Sequence, residues 1–437
     1  MSRLHLAGSD RHCSTRQLAP EKPPLPNSVC PPGLHRQTDF VKSLFSIGRF
    51  AGLRMVNRIS SWSNVAGILR SSQLDRFFSF FMQAGIMNQP ASTDGLLPAP
   101  DSVHALEEVL SQPTPPVIEM MSRLEGDLVL LGVGGKMGPS MARMARRAVQ
   151  EAGTNQRVIG VSRFSDPVVR DQLESWGVET VSCDLLDPEA VNQLPLAENM
   201  IYLAGFKFGA SQDPGRLWAM NCLAPALVSR HYRDSRIVAF STGNVYRAVS
   251  VDSGGAREDD AIEPHGEYAM AALGRERIFQ YFSQAHDIPM ALLRLNYAHD
   301  LRYGVFVDVA QDLLAGNPVD ISTAHVNIVW LADANAMTLR ALEHVRAPLQ
   351  VINVTGPEML NVRTVSEQLA EELGVKATFT GEERATALLS NATMGIECLG
   401  APEVSADQVI RWTADWVGNQ RPLLDKPTKF QVQDGKY

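Results

Sequence analysis

The chain has 437 residues, 45% of them hydrophobic and 20% charged, which is ordinary globular composition and excludes a collagenous, disulfide-rich or wholly disordered protein. A formal net charge of −8 gives no global footprint for nucleic acid, so no nucleic-acid partner is expected. The longest uncharged stretches, such as 77–93, contain Gln, Asn and Pro, so no membrane span is expected either.

The charge is uneven. Residues 1–86 carry eleven Lys/Arg against four Asp/Glu, whereas the remainder carries 29 against 44. The basic segment is rich in Ser, Arg and Pro and shows no strand or helix period. Three readings compete for it: a disordered tail, a transit-type targeting segment, and an upstream extension outside the working protein, with Met82 and Met87 as later starts. No apolar core follows the early positive charge, which argues against a secretory signal. Five widely spaced cysteines (Cys13, Cys30, Cys183, Cys222, Cys398) form no CxxC pair, so no metal site or disulfide framework is suggested. A reducing cytoplasm is the default location.

Residues 87–100 read as a Pro/Ser/Gly linker. Asp101 or Ser102 caps an expected short helix through Leu110, stopped by Pro113, and a second short helix spans 116–124 before Gly126. Apolar runs then predict strands at 128–131, 158–161, 178–182, 200–204, 237–240, 291–295 and 351–354. Helical patterns fill the gaps, notably 139–150 (stopped by Gly153), 214–230 and 266–286. This alternation implies a doubly wound, Rossmann-type α/β fold: a parallel sheet covered on both faces. The expected division is a nucleotide-binding domain over 126–296 and a smaller α/β substrate lobe over 297–419, with 351–354 completing the sheet. In the lobe, 304–319 reads as a short helix closed by Gly316-Asn317-Pro318. Thr364 and Glu367 read as a capping box, and Gly374 ends that helix. The polar tail 420–437 reads as frayed.

The first strand leads into Gly132-Val133-Gly134-Gly135-Lys136-Met137-Gly138. Gly132, Gly135 and Gly138 form GxxGxxG between a strand and a helix, the context a dinucleotide site requires. Glycine permits the tight turn and close backbone approach to a pyrophosphate, and the helix N-terminus offers free N–H groups to it. The second strand ends in Ser162-Arg163 rather than the acidic residue that would bind the ribose 2′-OH of NAD. An Arg there pairs in a fork with a 2′-phosphate, so NADP is favoured over NAD. Asp184, after the third strand, has two readings: an adenine-side contact, or an exposed turn residue before Pro188.

The ordered set of motifs resembles the extended short-chain dehydrogenase/reductase family, in its NAD(P)-dependent epimerase/dehydratase group. GxxGxxG, Asp184-Leu185, Leu203-Ala204-Gly205, Asn221, the run from Ser241 to Tyr246, and Glu258, Pro264, Tyr268 and Glu276 carry the resemblance. So do Arg294-Leu295-Asn296 and the apolar segment 329–334 with Asp333. The match covers roughly 126–415. It implies a cofactor site that includes Gly132, Gly135, Lys136, Met137, Gly138, Arg163, Asp184, Leu185 and Ala204. It implies that Tyr268 exchanges a proton with a substrate hydroxyl during hydride transfer and that Thr242 hydrogen-bonds the substrate oxygen. It also implies a small-molecule substrate and a homodimer.

One departure matters. The family pattern is Tyr-x-x-x-Lys, and here Tyr268 is followed four residues later by Ala272. Without a neighbouring cation, a Tyr of pKa about 10 is ionised about one part in a thousand at pH 7, about 4 kcal/mol from its best state as a base. Arg275, at i+7 on the same face, is a candidate substitute. Its bland reading, a surface Arg pairing with Glu276 or Glu267, is preferred. Lys207 beyond the fourth strand and Lys136 in the glycine loop are weaker candidates. Gly243 and Asn244 stand where dehydratases carry acids, which disfavours that chemistry. His299, Arg302 and His325 border the expected substrate region and read as structural. Two functions compete: an epimerase or reductase acting on a sugar-like or other hydroxylated substrate, and a non-catalytic NAD(P)-binding redox regulator.

Overall fold

The computed structural model describes residues 98–206, 212–424 and 426–432; the expectations for 1–86 and for Lys207 lie outside them. Two short helices lead in: α1 (Val103–Leu110), capped by Ser102 Oγ accepting from the Ala105 N–H, and α2 (Pro115–Arg123). The nucleotide-binding layers follow as β1 (Leu128–Leu131), α3 (Gly138–Ala152), β2 (Val158–Ser162), α4 (Pro167–Ser175), β3 (Glu179–Ser182), α5 (Pro188–Asn192) and β4 (Asn199–Tyr202). Next come α6 (Pro214–Trp218), α7 (Ala224–His231), β5 (Arg236–Thr242), α8 (Gly266–His286) and β6 (Met290–Leu295). The chain continues through α9 (Val305–Ala315), α10 (Leu331–Arg340), β7 (Gln350–Val354), α11 (Val362–Leu373), α12 (Thr393–Leu399) and α13 (Ala406–Gly418).

The seven strands form one parallel sheet ordered β3-β2-β1-β4-β5-β6-β7, the doubly wound arrangement expected. All four residues of β1 are buried. Strand side chains alternate between faces. Leu128 and Leu130 join α2 and α3 in one core, while Val129 and Leu131 join α7 and α8 in the other. A further core is built by α1, α9, α11 and α13 around Phe306, Leu369 and Trp416.

Three expectations are corrected. The predicted helix 214–230 is interrupted by a π-helical turn, Ala219–Leu223. The capping box at Thr364 is not used: α11 begins earlier, because Asn361 accepts from the Thr364 N–H at 3.0 Å and takes the N-cap itself. The tail does not fray over its described part. Thr428 donates from its N–H and its hydroxyl to Asp308, and Phe430 is buried in the lobe core.

Buried polar groups on β5, β6, β7 and α8 are paired through one network. Arg294 on β6 donates to both carboxylate oxygens of Glu276 on α8, at 3.0 and 2.8 Å, and to the Tyr246 hydroxyl at 2.7 Å. Ser241 on β5 donates to Glu276, and Tyr246 donates to Asn353 on β7. Both members of the ion pair are almost completely buried. A second buried acid, Asp333 near the start of α10, accepts from the Glu403 and Val404 N–H groups, and burial pushes its carboxyl up to about 6.

Removing one partner of a buried ion pair strands the other charge and costs about 3–5 kcal/mol. Glu276→Gln should therefore lower stability by that order in urea unfolding, and an unchanged midpoint would contradict the network's role. Asp333 has the opposite linkage sign from an ordinary surface acid. Its folded pKa lies above the unfolded value of about 3.9, so its contribution is full below pH 4 and is lost as pH rises toward 6. The stability of the parent minus that of Asp333→Asn should fall across pH 4–6; a rise would contradict the assignment.

Candidate active site

The glycine loop lies at the carboxyl end of β1, between β2 and β4. Gly132 has φ +89°, and a Cβ on it would lie 2.7 Å from the backbone N and Cα of Ala204, just past β4. A Cβ on Gly138 would overlap the Val133 carbonyl. Gly135 is open by comparison, its Cβ position meeting only the Gly132 carbonyl among the described residues, at 3.4 Å. Met137, the N-cap of α3, offers no side-chain cap, so the helix N-terminus faces the loop uncovered. Close backbone approach, an open central glycine and an uncapped helix end together fit a dinucleotide pyrophosphate.

At the end of β2, Ser162 Oγ lies against Gly134, and Arg163 is exposed at the following turn. That turn is sharp: Phe164 has φ +47°, which non-glycine residues rarely adopt. Asp184 is exposed and accepts from the Leu186 N–H at 3.0 Å, fixing a turn, while Leu185 is buried.

Tyr268 occupies the first turn of α8 and, like Phe206, packs against Leu217 and Ala271. Phe206 lies two residues beyond Ala204, so this cluster stands past the same end of β4 that Gly132 approaches. Thr242 ends β5, and its Oγ1 accepts from the Asn244 N–H at 3.2 Å, which leaves its hydroxyl hydrogen as a donor. Lys136 does not simply face outward from the loop: its ammonium lies 3.0 Å from the centroid of the Tyr303 ring. Burial, with Asp308 and Tyr268 nearby, raises the Tyr303 pKa. Burial also raises Asp308, an effect opposed by its two hydrogen bonds from Thr428 and by Lys136. The sequence reading did not single out Tyr303 or Asp308; the only signal was their closeness to Arg294-Leu295-Asn296.

Ala272 is fully buried in a cluster with Val245, Tyr246 and Ala256. Arg275 is not the surface residue preferred from sequence. It is 5% exposed, and its Nη1 donates to the Ala204 carbonyl at 3.1 Å. Its supposed partners are engaged elsewhere, Glu276 by Arg294 and Glu267 by the Trp218 indole N–H. The other basic residues named from the sequence stand as follows. His299 is held near pKa 3 by burial, and its Nε2 accepts from the Phe306 N–H at the start of α9. Arg302 pairs with Asp300 and Glu107, and His325 sits opposite Asn361 in a short antiparallel ladder. Among the described residues, no group of His, Cys, Asp or Glu could hold a metal ion, and no helix is long and apolar enough to cross a membrane.

No curated protein matches the sequence significantly. Solved structures do match in fold. UDP-glucuronic acid 4-epimerase from Bacillus cereus, in complex with UDP-glucuronic acid and NAD, aligns at TM-score 0.55 and 18% identity, over 67% of this chain and 99% of that one. UDP-glucose 4-epimerase from Thermotoga maritima, with UDP-glucose, aligns at 0.56 and 20%, with the same coverage. RMD from Pseudomonas aeruginosa, complexed with NADPH, aligns at 0.52 and 18%, over 67% and 98%. The model of the NAD dependent epimerase/dehydratase family matches residues 128–354, from the first strand of the sheet to the last. With the glycine loop, the sheet order and this match in agreement, the chain belongs to the NAD dependent epimerase/dehydratase family, an enzyme family built around a nicotinamide dinucleotide.

Proposed function

We propose that this enzyme is an NADP-preferring epimerase or reductase that acts on a hydroxyl-bearing sugar, with a nucleotide sugar as the favoured substrate class. One observation carries the reading: Tyr268 and Phe206 both pack against Leu217 and Ala271, and Phe206 lies two residues beyond Ala204, whose backbone closes on Gly132. A proton-exchanging phenol and a dinucleotide loop thus share one strand end.

The α3 N-terminus and the backbone around Gly135 hold the pyrophosphate, and Arg163 pairs with the 2′-phosphate. Bound there, the dinucleotide supplies reversible hydride acceptance. Thr242 donates its hydroxyl hydrogen to the substrate oxygen, and Tyr268 exchanges the proton of the reacting hydroxyl. The likeness to UDP-sugar 4-epimerases and to an NADPH-complexed relative supports the substrate class and the cofactor chemistry. A non-catalytic dinucleotide-binding regulator is the second reading, and Ala272 in place of Lys favours it.

Binding of NADPH and NADH to the full chain, followed by nicotinamide fluorescence, tests the cofactor assignment. NADPH should bind more tightly, and Arg163→Ala should remove about tenfold or more of that preference, the worth of a charge-assisted pair. Equal binding of both cofactors before and after substitution would refute the role of Arg163. Tyr268→Phe should lower turnover about 10²–10⁴-fold with dinucleotide binding retained. Unchanged turnover would remove Tyr268 from the mechanism.

A further inference from the structure

The glycine loop reaches the substrate lobe through a cation and a ring. Lys136 leaves the loop directly after Gly134 and Gly135, which are both exposed, and its ammonium lies 3.0 Å from the centroid of the Tyr303 ring. Lys136 and Tyr303 are both half-buried. The attraction of an ammonium for a ring face is stronger in such a place than at a fully exposed site.

The two sides of the contact differ in stiffness. The Tyr303 backbone exchanges two hydrogen bonds with that of Asp300, at 2.9 and 3.1 Å, and the Asp300 carboxylate is held in turn by Arg302. Asp308, in the first turn of α9, is tied to Thr428. The ring therefore stands on a fixed support. The loop is the softer side, because two consecutive glycines leave its backbone the freest. Burial, with Asp308 and Tyr268 nearby, raises the Tyr303 pKa, so the phenol stays neutral and meets the ammonium with its ring face rather than as an oxyanion. Lys136 in turn favours the charged form of Asp308, so α9 offers the ammonium a charge beside the ring.

We propose that Lys136 and Tyr303 form a clasp between the glycine loop and the substrate lobe that retains the dinucleotide, so that cofactor exchange requires the ammonium to leave the ring. The inference rests on the dinucleotide reading above. A pyrophosphate held by the backbone around Gly135 lies beside the root of the Lys136 side chain, which continues from there to Tyr303. Tyr303 is thus a positioning residue that acts through Lys136.

Release of NADPH from the full chain, followed by stopped-flow nicotinamide fluorescence with excess NADP as the chase, tests the clasp. Lys136→Met and Tyr303→Leu should each speed release about tenfold. The double substitution should add little to either single one, because both remove the same contact. Tyr303→Phe, which keeps the ring, and Lys136→Arg, which keeps the cation, should remain slow. Unchanged release in Tyr303→Leu overturns the proposal. So do rates that multiply in the double variant, which would mean that Lys136 acts on the dinucleotide without Tyr303. If Tyr303→Leu does not fold, unchanged release in Lys136→Met or fast release in Tyr303→Phe overturns it equally. Failure of the unsubstituted chain to bind any dinucleotide would instead overturn the cofactor reading itself, and this inference with it.

Discussion

The ion pair between Arg294 and Glu276 is the constraint on which the site depends. Two charges removed from water are tolerated only when their hydrogen bonds are filled, and here Ser241, Tyr246 and the Glu258 carbonyl contribute to filling them. The result ties α8 to β5 and β6 at fixed height. Tyr268 lies two turns before Glu276 on α8, and Arg275 lies next to Glu276. The pair therefore sets where the phenol and the neighbouring guanidinium stand relative to the ends of the strands. Asn353 extends the network to β7 and accepts from Tyr246. The same network thus couples β7 to α8.

Cations come to the strand ends from several elements. Arg163 is exposed beyond β2, Lys136 rises from the glycine loop onto Tyr303, and Arg275 lies buried beyond β4. Each sits near the carboxyl end of a strand of the sheet. The contact between Lys136 and Tyr303 also joins the loop to the segment leading into α9. Asp308 on that helix is held by Thr428. The final described residues therefore help to fix α9.

Much of this was legible in the sequence. The parallel sheet follows from short apolar runs spaced by helical periods, and the GxxGxxG loop sits between a strand and a helix as its glycines require. Glu258, Tyr246, Glu276 and Arg294 were recognisable as separate motif positions. Their common function was not, because they meet only when three strands and one helix assemble. Arg275 was misread because a single helical period gives a face but not the depth of that face. The interrupted helix at Ala219–Leu223 was invisible for a similar reason: π turns carry no propensity signal and arise from tertiary packing around Asn221. The cap at Asn361 displaced the expected one because a capping box and a lone Asn cap compete within a few residues.

The most direct test of the account is reduction of bound cofactor by substrate. The chain loaded with the oxidised dinucleotide and mixed with nucleotide sugars should develop the near-ultraviolet absorbance of reduced nicotinamide, and Tyr268→Phe should abolish that signal while keeping the cofactor bound. Tight dinucleotide binding with no reduction by any hydroxylated sugar would contradict the enzymatic reading and leave a binding protein in its place.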